Sequence, residues 1–217
     1  QHKVQVHTIA VDLSTPSAIQ TIADEVNRLG CSIDFLVNNA GFGVHGDFAA
    51  TSLEHELGLV RVQIDTVLAL TKAFLGSMQK RRSGRILNVA SVYAAAPVPH
   101  QAVYGACKAF MASFSAAVAV EVRHANVSVT LLCPGSTKTA FRKRFGMDSA
   151  QEHSGMSAEA VARAGYQGML RGQSVVVPGV INKIFFSLCT LLSQRGRSHL
   201  IQAVNRKRLN AVATTHP

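Results

Sequence analysis

Short apolar runs alternate along this chain with longer segments in which apolar residues recur every three or four positions. The short runs are typical of strands that are buried on both faces, and the longer segments are typical of the helices that cover such strands. This pattern predicts strands over residues 4–12, 33–37, 86–90, 127–133 and 174–177. It predicts helices over residues 15–29, 52–82, 101–124 and 157–170, with a possible break near Gly58.

The alternating order of these segments predicts an α/β fold. Right-handed crossovers between successive strands turn such a chain into a doubly wound parallel sheet with helices on both faces. Asp12, Asn39, Ser91 and the Pro134–Gly135 pair each follow a predicted strand. Ligands of doubly wound sheets bind beyond the carboxyl ends of the strands. We therefore expect these residues to line one crevice.

Three side chains near this crevice suggest proton-transfer chemistry. Ser91 ends the predicted strand 86–90, while Tyr104 and Lys108 lie four positions apart on the next predicted helix and share one of its faces. An ammonium stabilises a nearby phenolate, so we expect Lys108 to lower the pKa of Tyr104 from its reference value of about 10. Tyr104 would then exchange protons near neutral pH, with the Ser91 hydroxyl holding a carbonyl or alcohol oxygen.

The spacing of these residues resembles that of the short-chain dehydrogenase/reductase family. Tyr104 follows Ser91 by thirteen positions and Lys108 follows four later. Asn38-Asn39-Ala40-Gly41 is similar to the family's strand-end motif, and the segment from Pro134 to Thr139 is similar to its cofactor loop. The resemblance covers roughly residues 4 to 180 and implies a Rossmann-like fold that binds NAD or NADP.

The resemblance also implies a role for each matching residue. Tyr104 would be the general acid/base, Lys108 would lower its pKa and hold the nicotinamide ribose, and Ser91 would orient the substrate oxygen during hydride transfer. Gln63 occupies the position where many members carry an Asn in a proton relay. The residues that would contact the cofactor, besides Tyr104 and Lys108, are Asp12 near the adenine, Asn39, Ala40 and Gly41 at a strand end, and Pro134, Gly135, Thr137 and Thr139 in the loop that holds the carboxamide and pyrophosphate.

One family feature is absent from the sequence. Members begin with a strand, a Gly-rich turn that binds the pyrophosphate, a helix and a second strand, and residue 1 aligns just before the third strand. The residue that separates NAD from NADP also lies in that unit, and the basic, reductase-like chain favours NADP slightly. Two interpretations stay open: an NAD(P)-dependent oxidoreductase of carbonyls or alcohols, or a non-catalytic binding or scaffold relative.

Composition narrows the function classes further. Of 217 residues, 22 are Lys or Arg and 12 are Asp or Glu, which gives a net charge of +10. The basic residues are scattered and accompany no nucleic-acid-binding motif, so we expect no specific nucleic-acid partner. Four widely spaced Cys predict reduced thiols in a cytoplasmic protein, and neither they nor the nine His have metal-site spacing. The first residues lack the apolar core of a signal peptide.

The last part of the chain differs from the rest. We predict a catalytic domain over residues 1–179, with a polar lid over residues 136–156, and an apolar, basic helical tail over residues 180–217. The tail's apolar stripe is too short to span a bilayer; it would dock on the domain, on a dimer partner, or weakly on a membrane surface. Helices 52–82 and 101–124 resemble the family's dimer faces, so we expect a homodimer or tetramer. The stripe comprises Ile181, Ile184, Phe185, Leu188, Leu191 and Leu192.

Overall fold

The computed structural model describes residues 4–139, 141 and 155–202. Its strands are β1 (Phe35–Asn38), β2 (Gly84–Val89), β3 (Val127–Leu132), β4 (Thr137–Lys138), β5 (Met156–Ser157) and β6 (Val175–Val176). Its α-helices are α1 (Ala18–Arg28), α2 (Leu53–Val60), α3 (Thr66–Arg81), α4 (Ala102–Val122), α5 (Ala158–Leu170) and α6 (Val180–Leu191). A π-helical segment joins α2 to α3 (Arg61–Asp65), and 3-10 turns cover Val92–Ala95 and Arg123–Ala125.

Four of the strands form the parallel sheet that the sequence predicts. Their order is β1-β2-β3-β6, and β2 pairs with both β1 and β3 in parallel register. In this register Asn38 lies opposite Asn88, so the carboxyl ends of β1 and β2 coincide. The short strands β4 and β5 pair with each other outside this sheet.

Helices cover both faces of the sheet, as expected for a doubly wound fold. Ile86 packs with Met78 of α3 and Val118 of α4, whereas the next residue, Leu87, packs with Val161 of α5. Because successive side chains of a strand point to opposite faces, α5 lies on the face opposite α3 and α4. This arrangement buries β2 and β3 and brings the amino end of α4 to the carboxyl edge of the sheet.

Helix α4 is long and apolar. Among the described residues, Ala102–Ala125 is the one helical stretch that could cross a membrane by length and composition. Its Met111, Val118 and Val122 are buried against the sheet. One face of α4 therefore belongs to the core, whereas Val120 on the same helix is largely exposed.

Two predicted elements near the amino end differ from the structure. Residues 4–12 form no strand, and Val4 and Val6 are largely exposed, because no described strand lies beside them to accept their backbone hydrogen bonds. The first helix begins at Ala18, since Ser14 and Thr15 instead close a turn on Asp12. At the sheet edge, β1 pairs only with β2 among the described strands.

The break predicted near Gly58 lies slightly later in the chain. Gly58 is inside α2, and the irregularity is the π-helical segment that starts at Arg61. Such single-turn π segments insert one extra residue into a helix and are frequent at functional sites. Here the segment points Gln63 into the protein, where it is completely buried.

Candidate active site

The sheet and α4 bring Ser91, Tyr104 and Lys108 together. Ser91 follows β2, and its Oγ accepts a hydrogen bond of 3.2 Å from the backbone N–H of Tyr93, which starts the next turn. Tyr104 and Lys108 are on the first two turns of α4, and all three side chains are buried. The Ser91 side chain hydrogen-bonds Tyr104, and Lys108 Nζ lies 5.4 Å from the centre of the Tyr104 ring.

The electrostatics of this group differ from the expectation. Burial raises the pKa of Tyr104, and the hydrogen bond with Ser91 only partly offsets that rise. The prediction that the pKa of Tyr104 is lowered is therefore wrong for this structure. That prediction included the effect of the neighbouring ammonium but omitted the free-energy cost of placing a phenolate among apolar side chains.

Lys108 is itself affected by burial. Desolvation lowers the pKa of Lys108 to about 8, and its Nζ donates a 3.0 Å hydrogen bond to the Val89 carbonyl at the end of β2. A lysine with that pKa is still about 90% protonated at pH 7. The site thus holds a protonated phenol beside a buried ammonium at neutral pH.

Gln63 supports the strand end rather than contacting Lys108. Its Nε2 donates to the Phe42 carbonyl at 2.5 Å, and its side chain packs against Gly41. Its buried Oε1 has no hydrogen-bond partner among the described residues. The described contacts of Gln63 therefore hold the turn that follows β1.

Seven of the predicted cofactor residues follow the carboxyl ends of β1 and β3, in two groups. Asn39 and Ala40 are exposed and Gly41 is partly buried, directly after β1. The second group is on the loop after β3. The Pro134 carbonyl of this loop accepts a 3.0 Å hydrogen bond from Val92 N–H, which connects the loop to the turn after Ser91.

Further contacts fix the loop after β3. Thr137 Oγ1 donates to the Gly135 carbonyl at 3.1 Å, and Thr139 Oγ1 accepts from Phe141 N–H at 3.3 Å. Gly135 lies against the Asn182 side chain, so a larger residue would displace that side chain. Asn182 is fixed by a 2.7 Å hydrogen bond to the Pro178 carbonyl. Loop and α6 are thereby packed together.

Asp12 lies apart from these groups and already has partners. It is exposed and accepts hydrogen bonds from the Ser14 N–H at 2.9 Å and the Ser14 hydroxyl at 2.8 Å. The backbone hydrogen bond is the main reason that the pKa of Asp12 is lowered. Within the described residues, Asp12 therefore acts as a turn residue, and its expected contact with adenine rests on the resemblance alone.

A buried polar network that the sequence did not reveal supports the site. Asn38 Nδ2 donates to Asn88 Oδ1 at 2.8 Å, and Asn88 Nδ2 donates to Ser115 Oγ at 2.8 Å. These bonds join β1 to β2, which ends before Ser91, and β2 to α4, which carries Tyr104 and Lys108. The pairing of Asn38 with Asn88 depends on the strand register, which a single sequence does not specify.

Apolar side chains surround Tyr104, and sequence analysis missed them as well. The Phe141 ring lies 6.2 Å from the Tyr104 ring, centre to centre. Phe42, Val44 and Tyr93 pack against the same cluster. Phe141 belongs to the predicted lid, of which residues 140 and 142–154 lie outside the described residues.

A histidine pair lies on the loops that flank this cluster. His100 Nδ1 is 3.0 Å from Asp47 Oδ1, and the His45 and His100 rings stack at 6.1 Å. Burial, and then the neighbouring His100, lower the pKa of His45. Among the described residues, no group of three potential metal ligands forms.

Comparisons with known proteins show which proteins this chain resembles. The chain is 36% identical over 132 residues to "Dehydrogenase/reductase SDR family protein 7-like" of Anopheles gambiae, a match that covers 61% of this chain and 42% of the relative. It is 30% identical over 189 residues to the protein of the same name from Drosophila melanogaster, with 83% of this chain and 58% of the relative covered. The chain thus spans about half the length of these curated relatives.

Solved structures share the fold. A short-chain dehydrogenase from Sphingobium yanoikuyae in complex with NADPH matches with a TM-score of 0.70 and 24% identity, over 84% of this chain and 74% of that one. A short-chain dehydrogenase/reductase from Burkholderia phymatum in complex with NAD matches with a TM-score of 0.73 and 20% identity, over 83% and 73%. A family model described as short chain dehydrogenase matches residues 1–150. With more than half of its length matched, the chain belongs to the short-chain dehydrogenase family.

Proposed function

We propose that this chain carries the catalytic residues of an NAD(P)-dependent oxidoreductase that reduces carbonyl groups to alcohols. The observation that carries the proposal is the buried contact of Ser91 with Tyr104, beside the Lys108 ammonium. Burial of three polar groups costs free energy, so their presence together indicates a functional role. A perturbed pKa at a crevice is typical of functional sites. Their position at the carboxyl edge of a doubly wound sheet is where such folds bind ligands.

In the proposed mechanism, a bound nicotinamide supplies the hydride. The Ser91 and Tyr104 hydroxyl groups hold the substrate oxygen by hydrogen bonds. As negative charge develops on that oxygen, Tyr104 donates its hydroxyl proton, and the Lys108 ammonium stabilises the resulting phenolate. The raised pKa of Tyr104 keeps it protonated at neutral pH, which favours the reductive direction.

The residues at the carboxyl edge fit the nicotinamide half of a dinucleotide. Asn39, Ala40 and Gly41 offer exposed or partly exposed backbone after β1, and Thr137 and Thr139 offer hydroxyl groups after β3. We favour NADP, because its additional phosphate suits a chain with a net charge of +10. The solved relatives named above hold NADPH in one case and NAD in the other.

The substrate that fits best is an apolar carbonyl compound. The side chains that pack around Tyr104 are apolar or aromatic, including Phe42, Val44, Tyr93 and Phe141. The Phe141 ring lies beside the Tyr104 ring, tilted by 51° with the ring centres 6.2 Å apart, and would exclude water from the reacting oxygen. Phe141→Ala should therefore reduce kcat/KM for an apolar ketone by about tenfold or more, with a smaller effect for a short polar ketone.

We propose a homodimer or tetramer in the cytoplasm, in which helices from two copies cover each other. The exposed sides of α2, α3 and α4 carry large apolar residues, namely Leu53, Leu57, Leu68 and Val120. Symmetric association of two copies would bury these exposed apolar residues. Val120→Ser should weaken this association, as measured by analytical ultracentrifugation.

The alternative is a non-catalytic relative that keeps the residues but does not turn over. One observation favours it: Asp12, the expected adenine contact, is already satisfied by Ser14. Thermal shift with NADP, NADPH, NAD and NADH, followed by NADPH oxidation with a ketone panel, separates the two. Stabilisation by a cofactor and ketone-dependent oxidation support the enzyme. A folded chain that no dinucleotide stabilises, and that oxidises no NADPH, supports the relative.

A further inference from the structure

Helix α6 is apolar on two faces, of which the protein covers one. Phe185, Phe186 and Cys189 pack on the turn after Ser91 and on the adjoining core. On the other side five apolar residues are exposed: Val180 by 73%, Ile181 by 82%, Ile184 by 57%, Leu188 by 47% and Leu191 by 84%. At 3.6 residues per turn these five fall within an arc of about 100°, which we call the outer arc.

The outer arc is not an ordinary solvent-facing surface. Asn182 is on the covered side of α6, and the other polar residues, Lys183, Ser187 and Thr190, share a separate strip between the outer arc and the buried face. A surface helix normally presents charged or polar residues on the side opposite the core. Here that side is a continuous aliphatic patch, and such patches mark interaction surfaces.

The part of the sequence that contains α6 carries charged side chains of one sign. The chain contains no Asp or Glu after Glu159, although it contains eight Lys or Arg there. Lys183 and Arg195 are exposed on or just beyond α6. The eight basic residues are Arg163, Arg171, Lys183, Arg195, Arg197, Arg206, Lys207 and Arg208.

We propose that the outer arc docks this protein onto the surface of an anionic lipid bilayer. The aliphatic side chains would enter the boundary between headgroups and acyl chains, and the basic residues would lie against the lipid headgroup charges. The 12 residues of α6 are too few to span a bilayer, so the helix would lie in the plane of the surface. Helix α6, at the start of the predicted tail, would then be the membrane-binding element of the chain.

The same charges argue against a second copy of this chain as the occupant. In a two-fold interface the same patch meets itself. Each copy would then bring Lys183, at the border of the outer arc, to a partner surface on which the acid-free carboxyl-terminal region offers no carboxylate. Lipid headgroups supply negative charge without a directional partner, which suits a patch of aliphatic side chains with no hydrogen-bonding groups.

The proposal can be tested by vesicle flotation of the full chain. One set of vesicles is phosphatidylcholine, and in the other about one lipid in three is phosphatidylserine. Binding to the anionic set only, falling with salt between about 0.1 M and about 1 M, is expected. The double variant Ile181→Ser/Leu191→Ser changes the two most exposed residues of the arc and should lower the bound fraction by about tenfold or more.

Matched single variants serve as controls. Leu188→Ser should weaken binding, whereas Leu170→Ser on α5 should not, although the two side chains are exposed by 47% and 45%. Circular dichroism checks that each variant is folded. Light scattering after size-exclusion chromatography reports oligomeric state, because loss of a dimer in the double variant would mean that the arc is a protein interface.

Three results would overturn the proposal. They are no flotation of the folded parent with either vesicle set, equal flotation of the parent and the double variant, and conversion of a parent dimer to a monomer by the double variant. Flotation does not require turnover, so an enzyme that is inactive but binds anionic vesicles would contradict the proposed function and leave this proposal standing.

Discussion

Replacement of Asn88 by Leu tests the network that holds the site together. Asn88 is completely buried and makes two 2.8 Å hydrogen bonds, one from Asn38 and one to Ser115. Leu is similar in size, so the main loss is polar: two hydrogen bonds of about 1 kcal/mol each, together with an Asn38 amide left unpaired. An unpaired buried group costs about 1–3 kcal/mol. The free energy of unfolding should therefore fall by about 3–5 kcal/mol.

Urea unfolding followed by circular dichroism measures this loss, and Thr130→Val is its matched control. Thr130 is also completely buried in the sheet, but its hydroxyl has no hydrogen-bond partner among the described residues. Removing that hydroxyl should leave stability unchanged or raise it slightly. The reasoning is refuted if Asn88→Leu is as stable as the parent, or if Thr130→Val loses as much as Asn88→Leu.

Three further changes test other parts of the account. Lys108→Met should be more stable than the parent at pH 7 by up to about 3 kcal/mol, because the pKa of Lys108 is lowered from 10.5 to about 8. The unfolded chain binds more protons between those values, so parent stability rises with pH there and the advantage of Lys108→Met should shrink; an advantage independent of pH in urea titrations would contradict this. Gly135→Ala should lower the melting temperature by displacing the Asn182 side chain, and adding Asn182→Ala should recover part of the loss, whereas strictly additive losses would exclude the contact. Gln63→Asn should lose the hydrogen bond to the Phe42 carbonyl and about 1–2 kcal/mol of stability, and an unchanged urea midpoint would argue against that bond.

The sequence was sufficient for the four strands that pair in the main sheet and for their parallel direction. The apolar runs at residues 33–37, 86–90 and 127–133 correspond to β1, β2 and β3, because strands buried on both faces leave an unambiguous signal. Residues 4–12 also alternate, but the strand that this pattern predicted is absent from the structure. A strand exists only where a neighbour accepts its hydrogen bonds, and a pattern along one segment does not reveal whether that neighbour is present.

The candidate site was predictable where spacing along one helix decides it. Tyr104 and Lys108 share a face of α4 because they are four positions apart. The contact between Gly135 and Asn182 joins residues far apart in sequence, as does the packing of Phe141 on Tyr104. The direction of the Tyr104 pKa was missed because burial depends on the whole fold, whereas a neighbouring charge can be inferred from the sequence.

The most direct test of the central claim compares Tyr104→Phe with Tyr93→Phe. Both changes remove only a hydroxyl group, and both tyrosines pack in the same cluster. With any ketone that the parent reduces, Tyr104→Phe should lower kcat by about a hundredfold to ten-thousandfold while the cofactor Kd stays within about threefold. Tyr93→Phe should keep kcat close to that of the parent. If Tyr104→Phe reduces the ketone as fast as the parent does, Tyr104 is not the proton donor and the proposed mechanism is wrong.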